Sequence, residues 1–475
     1  MTTEFPQHVV LGEPALLFHP ERKGDSDIHP LRGLLRFGPY SAGLLVPDPI
    51  RIATIAPNAE SGNLYGFMRE LSNTYRPRER REYLPDWPGF KSVFGLRMTA
   101  ASKDCRLELD ATLDHDIASS PTPHVVLADA ITRAIQRLIA RRSEFDVLFV
   151  YLPDRWSAGY ASGDGEDFDL HDHIKAFTAV HSIPVQLVRQ NSALAYFDRA
   201  SVMWRVGLAI YAKAGGIPWK LAGADPECAY IGVSYSVRPT TSDQPRFVTC
   251  CSQVFDAEGS GLEFIAYDTN DFNVERDNPF LSHTEMFRVM SRAMDLYRRR
   301  HAGRVPRRVM VHKTTEFRRE EIAGCLEAFH LCEAVDLVQV VDDVSWHAAL
   351  INQPDPHTGE WSAAAYPVPR GSLVNIRPGE ALLWTHGAVD NINPRRPFLK
   401  GGRGTPYPIR LVRHAGHGTW DQSARAILAL TKMDWNNDSL YDHLPVTLGY
   451  AKVLSRVVKR IGKLGVTPYQ FRFFM

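Results

Sequence analysis

The sequence predicts an α/β protein in two parts, a parallel doubly wound domain followed by a mixed-sheet domain. Two observations carry this. Up to about residue 225, apolar strand-like runs alternate with amphipathic helices, the pattern of parallel strands joined by helical crossovers. From residue 228, three strand-like runs follow one another on short polar connections, an antiparallel meander, before helix–strand alternation resumes.

Composition sets the frame. A length of 475 residues suits two or three domains of about 100–200 residues each. Hydrophobic content of 44% and charged content of 23% are those of an ordinary globular chain. No run of about 18 apolar residues exists, so no membrane-spanning helix is expected. The opening MTTEFPQHVV lacks a basic stretch ahead of an apolar core, so a cytoplasmic protein without a secretory signal is expected. The six cysteines (Cys105, Cys228, Cys250, Cys251, Cys325, Cys332) form no CxxC pair and no zinc spacing, and are expected to be free thiols.

Net charge is +1 and says nothing of nucleic acid by itself. Positive charge is concentrated at 298–308, at 395–404, and on Lys452, Arg456, Lys459, Arg460 and Lys463, which share one helix face. Each cluster alone reads as a solvated face. Together, in a nearly neutral chain, they favour a groove for a phosphate backbone.

The elements run as follows. Residues 1–36 hold LGEPALLF, a short strand, and a polar linker. IRIATIAP (50–57) reads as a buried strand closed by proline, and 64–75 as an amphipathic helix. A long helix is expected over 125–143, with Val126, Ile131, Ile135, Leu138 and Ile139 on one side. DVLFVYLP (146–153) is a strong buried strand. The loop SAGYASGDGED, a helix carrying His171 and Lys175, the strand IPVQLVR (183–189) and a helix over 201–213 follow. The meander occupies 228–236, 246–255 and 262–268, with DAEGSG (256–261) as one turn. A helix near 284–300, a strand at 307–313, a helix at 316–329 and a strand at 334–342 come next. Meander followed by helix–strand alternation is the layout of a ribonuclease-H-like domain. Helices over 421–433 and 447–464 close the chain.

The stretch DLHDHIK (169–175) concentrates ionisable groups. Zinc fits it poorly, because His171 and His173 are two apart and point roughly 200° away from each other on a helix. His171 as a general acid or base has no nucleophile near it in sequence. A polar helix start capped by Asp169 is the plain reading. An anion grip fits the spacing: His171 and Lys175 are four apart on one helix face, behind a Gly-rich loop, where free N–H groups attract negative charge. Gln186 lies one strand later, and Lys213 ends a helix ahead of two glycines.

These residues resemble a known family. HDHIK, IPVQLVRQ and IYAKAGGIPWKL, followed by YIGVSYS, are similar to the guide 5′-phosphate pocket of Argonaute MID domains leading into the PIWI domain. The family's set falls on His171, Lys175, Gln186 and Lys213; a second lysine of some relatives would fall on Ala209 and is absent. LTKMDWNN (430–437), LPVTLGYAK (444–452) and GLLRFGPYS (33–41) resemble further family segments, so the likeness covers nearly all of 33–475. It implies a Rossmann-like MID domain at 37–226 and a ribonuclease-H-like PIWI domain at 227–475, after an N-terminal segment at 1–36. The resemblance leaves no room before Phe37 for N and PAZ domains, so a short prokaryotic Argonaute, MID plus PIWI only, is expected.

An active PIWI domain needs carboxylates at strand ends to hold two divalent metals. The matching positions carry Ser234, Thr314 and Lys452, so no slicing is expected. The resemblance also implies Mg²⁺ at the guide phosphate, held by Gln186 and the Met475 carboxylate. The aromatic tail (Tyr469, Phe471, Phe473, Phe474) is expected to dock that carboxylate inward rather than fray. For short Argonautes the implied function is a defence sensor. It loads a 5′-phosphorylated guide RNA, pairs with single-stranded DNA of plasmid or phage, and activates an APAZ-containing partner with a sirtuin-like or TIR NAD-consuming domain. Two other readings stand beside it: a guide-directed endonuclease using Asp268, Asp271 or Glu275, and a phosphate-binding two-domain α/β enzyme.

Overall fold

The computed structural model describes residues 8–42, 44, 46–162, 168–238, 246–254, 263–269, 271–275, 278–342, 344–364, 366–400, 405–461 and 469–475. The turn at 256–261, residues 163–167, the end of the basic stretch at 401–404 and Lys463 lie outside them. The chain divides into two compact units. One comprises Leu17–Trp219, Trp435–Asp438 and Arg456–Met475; the other comprises Met1–Leu16, Lys220–Asp434 and Ser439–Ser455.

In the first of these, Met98–Ala100, Ile50–Ala56, Val147–Leu152 and Val185–Arg189 lie side by side, all parallel, with Arg106–Glu108 also pairing Ile50–Ala56. Every residue of Val147–Leu152 is buried, which is what an apolar strand needs when helices cover both faces of a sheet. The expected long helix spans Pro123–Ile139, opened by proline in its first turn and followed by a short 3₁₀ turn at Arg142–Glu144. Its Leu127, Ile131, Ile135 and Leu138 pack with Leu148, Val150, Val185 and Ile174 in one core. Elsewhere in the unit Trp87 meets Trp204 edge-on, and Phe67 meets Phe149.

The helix Arg199–Lys213 carries a buried stripe over most of its length. It stops because Gly215 takes φ +104, a left-handed backbone that favours glycine. A Cβ on Gly216 would stand 2.3 Å from the Tyr211 ring. The two glycines after Lys213 therefore serve a sharp stop and a close aromatic approach.

In the second unit one mixed sheet runs His8–Val10, Ser372–Arg377, Glu380–Leu383, Ile409–Ala415, Ala334–Val341, Arg308–Lys313, Cys228–Arg238, Arg246–Val254, Glu263–Asp268. The last three strands form the expected meander. Cys228–Arg238, Arg308–Lys313 and Ala334–Val341 are mutually parallel neighbours. Helices His283–Arg300 and Arg319–Ala328 bury Met286, Val289, Met290, Ala293 and Cys325 against Ile231, Val233, Val309 and Val311. The sequence pattern predicts no strand between 343 and 420; among the described residues the structure has three there, all antiparallel. Helices Trp420–Leu430 and Val446–Val458 follow.

Candidate anion-binding site

The helix Leu170–Val180 begins where the spacing put it, and its first turn is capped by a carboxylate. Asp169 is the N-cap and its Oδ1 accepts the Asp172 N–H at 2.9 Å. Asp172 is buried in the first turn, and His171 Nδ1 lies 3.2 Å from its Oδ1. Arg456 Nε stands 3.8 Å from the other oxygen. Burial alone would raise the Asp172 pKa, but the His171 hydrogen bond and the charges of Arg456 and Arg460 outweigh it and keep the carboxylate ionised. Burial pulls His171 below the ordinary histidine range, against its Asp172 bond. A neutral His171 that spends its N–H on Asp172 keeps only an acceptor nitrogen. It donates to a phosphate only once protonated.

The cationic centre sits deeper. Lys175 and Lys213 are both buried, at 2% and 1% exposure. They come from two helices and reach consecutive residues of the strand Val185–Arg189. Lys175 Nζ donates to Val185 O at 2.8 Å; Lys213 Nζ donates to Gln186 Oε1 at 2.8 Å. Lys175 Nζ also donates to the main-chain oxygen of Met475. Burial first, and then the neighbouring Lys213 charge, hold Lys175 well below the ordinary lysine range. The tail that delivers Met475 is packed inward, with Tyr469, Phe471, Phe473, Phe474 and Met475 all buried. Lys175, Gln186, Lys213 and Met475 are thus brought together, with His171 one helical turn before Lys175. His173 is turned to the Phe168 ring, 5.6 Å between centroids.

Two sets of donors are relevant to a metal. Met475 and Gln186 offer hard oxygens of the kind Mg²⁺ takes, and each already touches a lysine. Among the described residues, Asp169, His171 and Asp172 also bring ligand atoms within 4.8 Å of one another. Sequence spacing of the two histidines hid this group, because it uses one histidine and two carboxylates.

In the other unit, Val233 pairs with Lys313 in parallel register, so Ser234 and Thr314 are the next positions at the same end of adjacent strands. Ser234 Oγ donates to Ala451 O at 2.8 Å, one residue before Lys452. Lys452 is exposed and its Nζ lies 3.2 Å from Asp342 Oδ2. The Thr314 carbonyl accepts from Gln339 Nε2 at 3.2 Å. Glu275 pairs with Arg318. Sequence reasoning missed the group beside these strand ends: Lys313 and Glu321 form a fully buried pair at 2.6 and 2.7 Å. Tyr235 OH and the backbone N–H groups of Leu281 and Arg318 donate to the same carboxylate. Four donors fix Glu321 in place.

The basic clusters fare unequally. Arg307 lies within 3.8 Å of Asp225, Glu227 and Glu333, and Arg308 is paired with Asp336. Arg300 pairs with Glu263. Arg300, Arg307 and Arg308 of the cluster at 298–308 are thus paired with carboxylates, while Arg298, Arg299 and Arg304 are exposed. In the second, Lys400 donates to Tyr441 O at 2.5 Å.

No family model and no curated protein sequence matches the chain. Among solved structures it is similar to the Clostridium butyricum Argonaute bound to a guide DNA with a 5′ deoxycytidine and a 19-mer target DNA. The TM-score is 0.66 at 15% identity, over 99% of this chain. The chain spans 55% of that Argonaute's length. The likeness shows an Argonaute-like α/β fold.

Proposed function

We propose that this chain grips the 5′-phosphate of a small guide and senses nucleic acid complementary to it. The observation that carries the reading is the convergence of Lys175, Lys213, Gln186 and Met475 at one buried point of an Argonaute-like fold. Two ammonium groups held in low dielectric against a single strand bind a dianion far better than two surface lysines would. Gln186 orients Lys213. His171 lies at the mouth, positioned by Asp172, and faces the guide as a ring or, when protonated, as a donor. Mg²⁺, held by the Met475 carboxylate and Gln186, would neutralise charge between the phosphate and the carboxylate.

The guide is RNA and the target single-stranded DNA, read by pairing while the protein holds the backbone. Slicing is absent: Ser234, Thr314 and Lys452 offer no carboxylate where two metals would sit. The output passes to an APAZ-containing partner with a sirtuin-like or TIR NAD-consuming domain, whose activation depletes NAD in cells invaded by plasmid or phage. The test is to purify the chain from cells and label the 5′ ends of whatever nucleic acid it carries, before and after phosphatase. Short RNA that accepts label only after phosphatase supports the reading. Protein free of oligonucleotides that also ignores added 5′-phosphorylated guides would sink it.

A further inference from the structure

The C-terminal segment has a second face, turned away from Lys175. Arg472 and its neighbours line one wall of an open cavity of about 690 Å³. The other wall is formed where the helices Pro123–Ile139 and Leu170–Val180 end, together with Arg142, Ser143 and Ser182. Among the described residues none of Lys175, Gln186 and Lys213 lines it, and neither does any carboxylate.

Two guanidinium groups face this space, and among the described residues neither has a carboxylate in hydrogen-bond contact; Asp146 attracts Arg142 only from a distance. Arg142 donates from Nε to Ser182 O at 2.8 Å and from Nη1 to Phe145 O at 2.7 Å, both neutral carbonyls. The two carboxylates nearest it in sequence on that side are taken by other arginines, Glu144 by Arg141 and Asp146 by Arg51 in a two-pronged pair. Arg472 lies over the Phe473 ring at 5.1 Å, and its Nε is buried without a hydrogen-bond partner. Burial, and then the Arg472 charge, lower the Arg142 pKa; burial lowers that of Arg472.

Helix ends explain part of this. Each helix C-terminus carries roughly half a negative charge, felt within the last turn, and favours a nearby cation. Two such ends offset about one of the two positive charges. About one full positive charge is left facing an open cavity, with two serine hydroxyls beside it.

We infer that this cavity is a second anion site, separate from the Lys175–Lys213 pair, which takes the phosphate of a nucleotide. Guanidinium forks match phosphate oxygens in pairs. The space is larger than a bare phosphate needs and falls within the range of about 300–1,000 Å³ for small-molecule sites. Ile139, Val180 and Phe473 give it an apolar side against which a base can lie. The nucleotide is either free or part of a strand. The inference does not depend on the guide reading.

The test is calorimetric titration of the full chain with pyrophosphate, AMP and a 5′-hydroxyl oligonucleotide, repeated on Arg142→Gln, Arg472→Gln and Lys213→Met. Pyrophosphate binding that survives Lys213→Met and weakens about ten- to a hundredfold in either arginine variant, the loss of a charge-assisted hydrogen bond, is the expected result. AMP binding at that site identifies a free nucleotide; binding of the oligonucleotide but not AMP identifies a backbone phosphate. If both arginine variants bind every probe as the parent does, or if Lys213→Met abolishes all binding, the inference is wrong. Should Arg472→Gln lose its thermal transition, Arg142→Gln, on a different element, decides.

Discussion

Lys175 is the most constrained residue of the candidate site. Its ammonium is buried, shares space with Lys213 and is held well below the ordinary lysine value of about 10.4. A bound phosphate dianion favours the charged form and raises that pKa again. Between the two values the complex holds one more proton than its parts, so affinity falls as pH rises, by up to about tenfold per unit. Measured above pH 7, where the phosphate is already a dianion, 5′-phosphorylated guides are expected to bind progressively more weakly with rising pH. Lys175→Met should bind weakly and without that slope; a flat profile in the parent chain would argue that Lys175 keeps a fixed charge. Met475 offers a second check at this scale. Residues added after it would carry its carboxylate off the lysine, and guide binding should lose its dependence on Mg²⁺.

At the scale of elements, the helix Val446–Val458 is clamped onto the strand Cys228–Arg238. A Cβ on Gly232 would stand 1.9 Å from Thr447 O, and the Thr447 hydroxyl lies 2.9 Å from His312 Nδ1. Gly232→Ala is therefore expected to destabilise by about 1–3 kcal/mol or more through overpacking, read as a lowered midpoint in urea. Ser234→Asp should cost about 1–3 kcal/mol as well, because it replaces a donor to Ala451 O with an acceptor. The same elements show what a sequence can reveal. Val147–Leu152 announces itself by an unbroken apolar run, and Pro123–Ile139 by its repeat. Ser372–Arg377 and Glu380–Leu383 are short, mixed in polarity and paired partly with His8–Val10, hundreds of residues away, so no local pattern marks them. The lysines and Gln186 were legible through family-like spacing. The Asp169 cap, the Arg456–Asp172 pair and the Lys313–Glu321 pair were not, since each depends on which side chains tertiary packing brings together.

For the whole molecule, the proposed function combines a phosphate grip in one unit with a strand end in the other that carries Ser234 and Thr314 where carboxylates would hold metals. Guide, complementary DNA and Mn²⁺ together should therefore give binding and no cut at a fixed phosphate. A single fixed cleavage product would restore the endonuclease reading. Copurification with a partner that consumes NAD only when guide and target are both present would carry the sensor reading further.

The most direct test is the affinity ratio of 5′-phosphorylated to 5′-hydroxyl guide, measured for the parent chain and for Lys213→Ala. The account predicts at least about a tenfold preference for the phosphorylated guide, the worth of one charge-assisted contact, collapsing toward unity in Lys213→Ala while 5′-hydroxyl binding barely changes. Equal affinity for the two guides in the parent chain, or an equal loss of both in the variant, would contradict it.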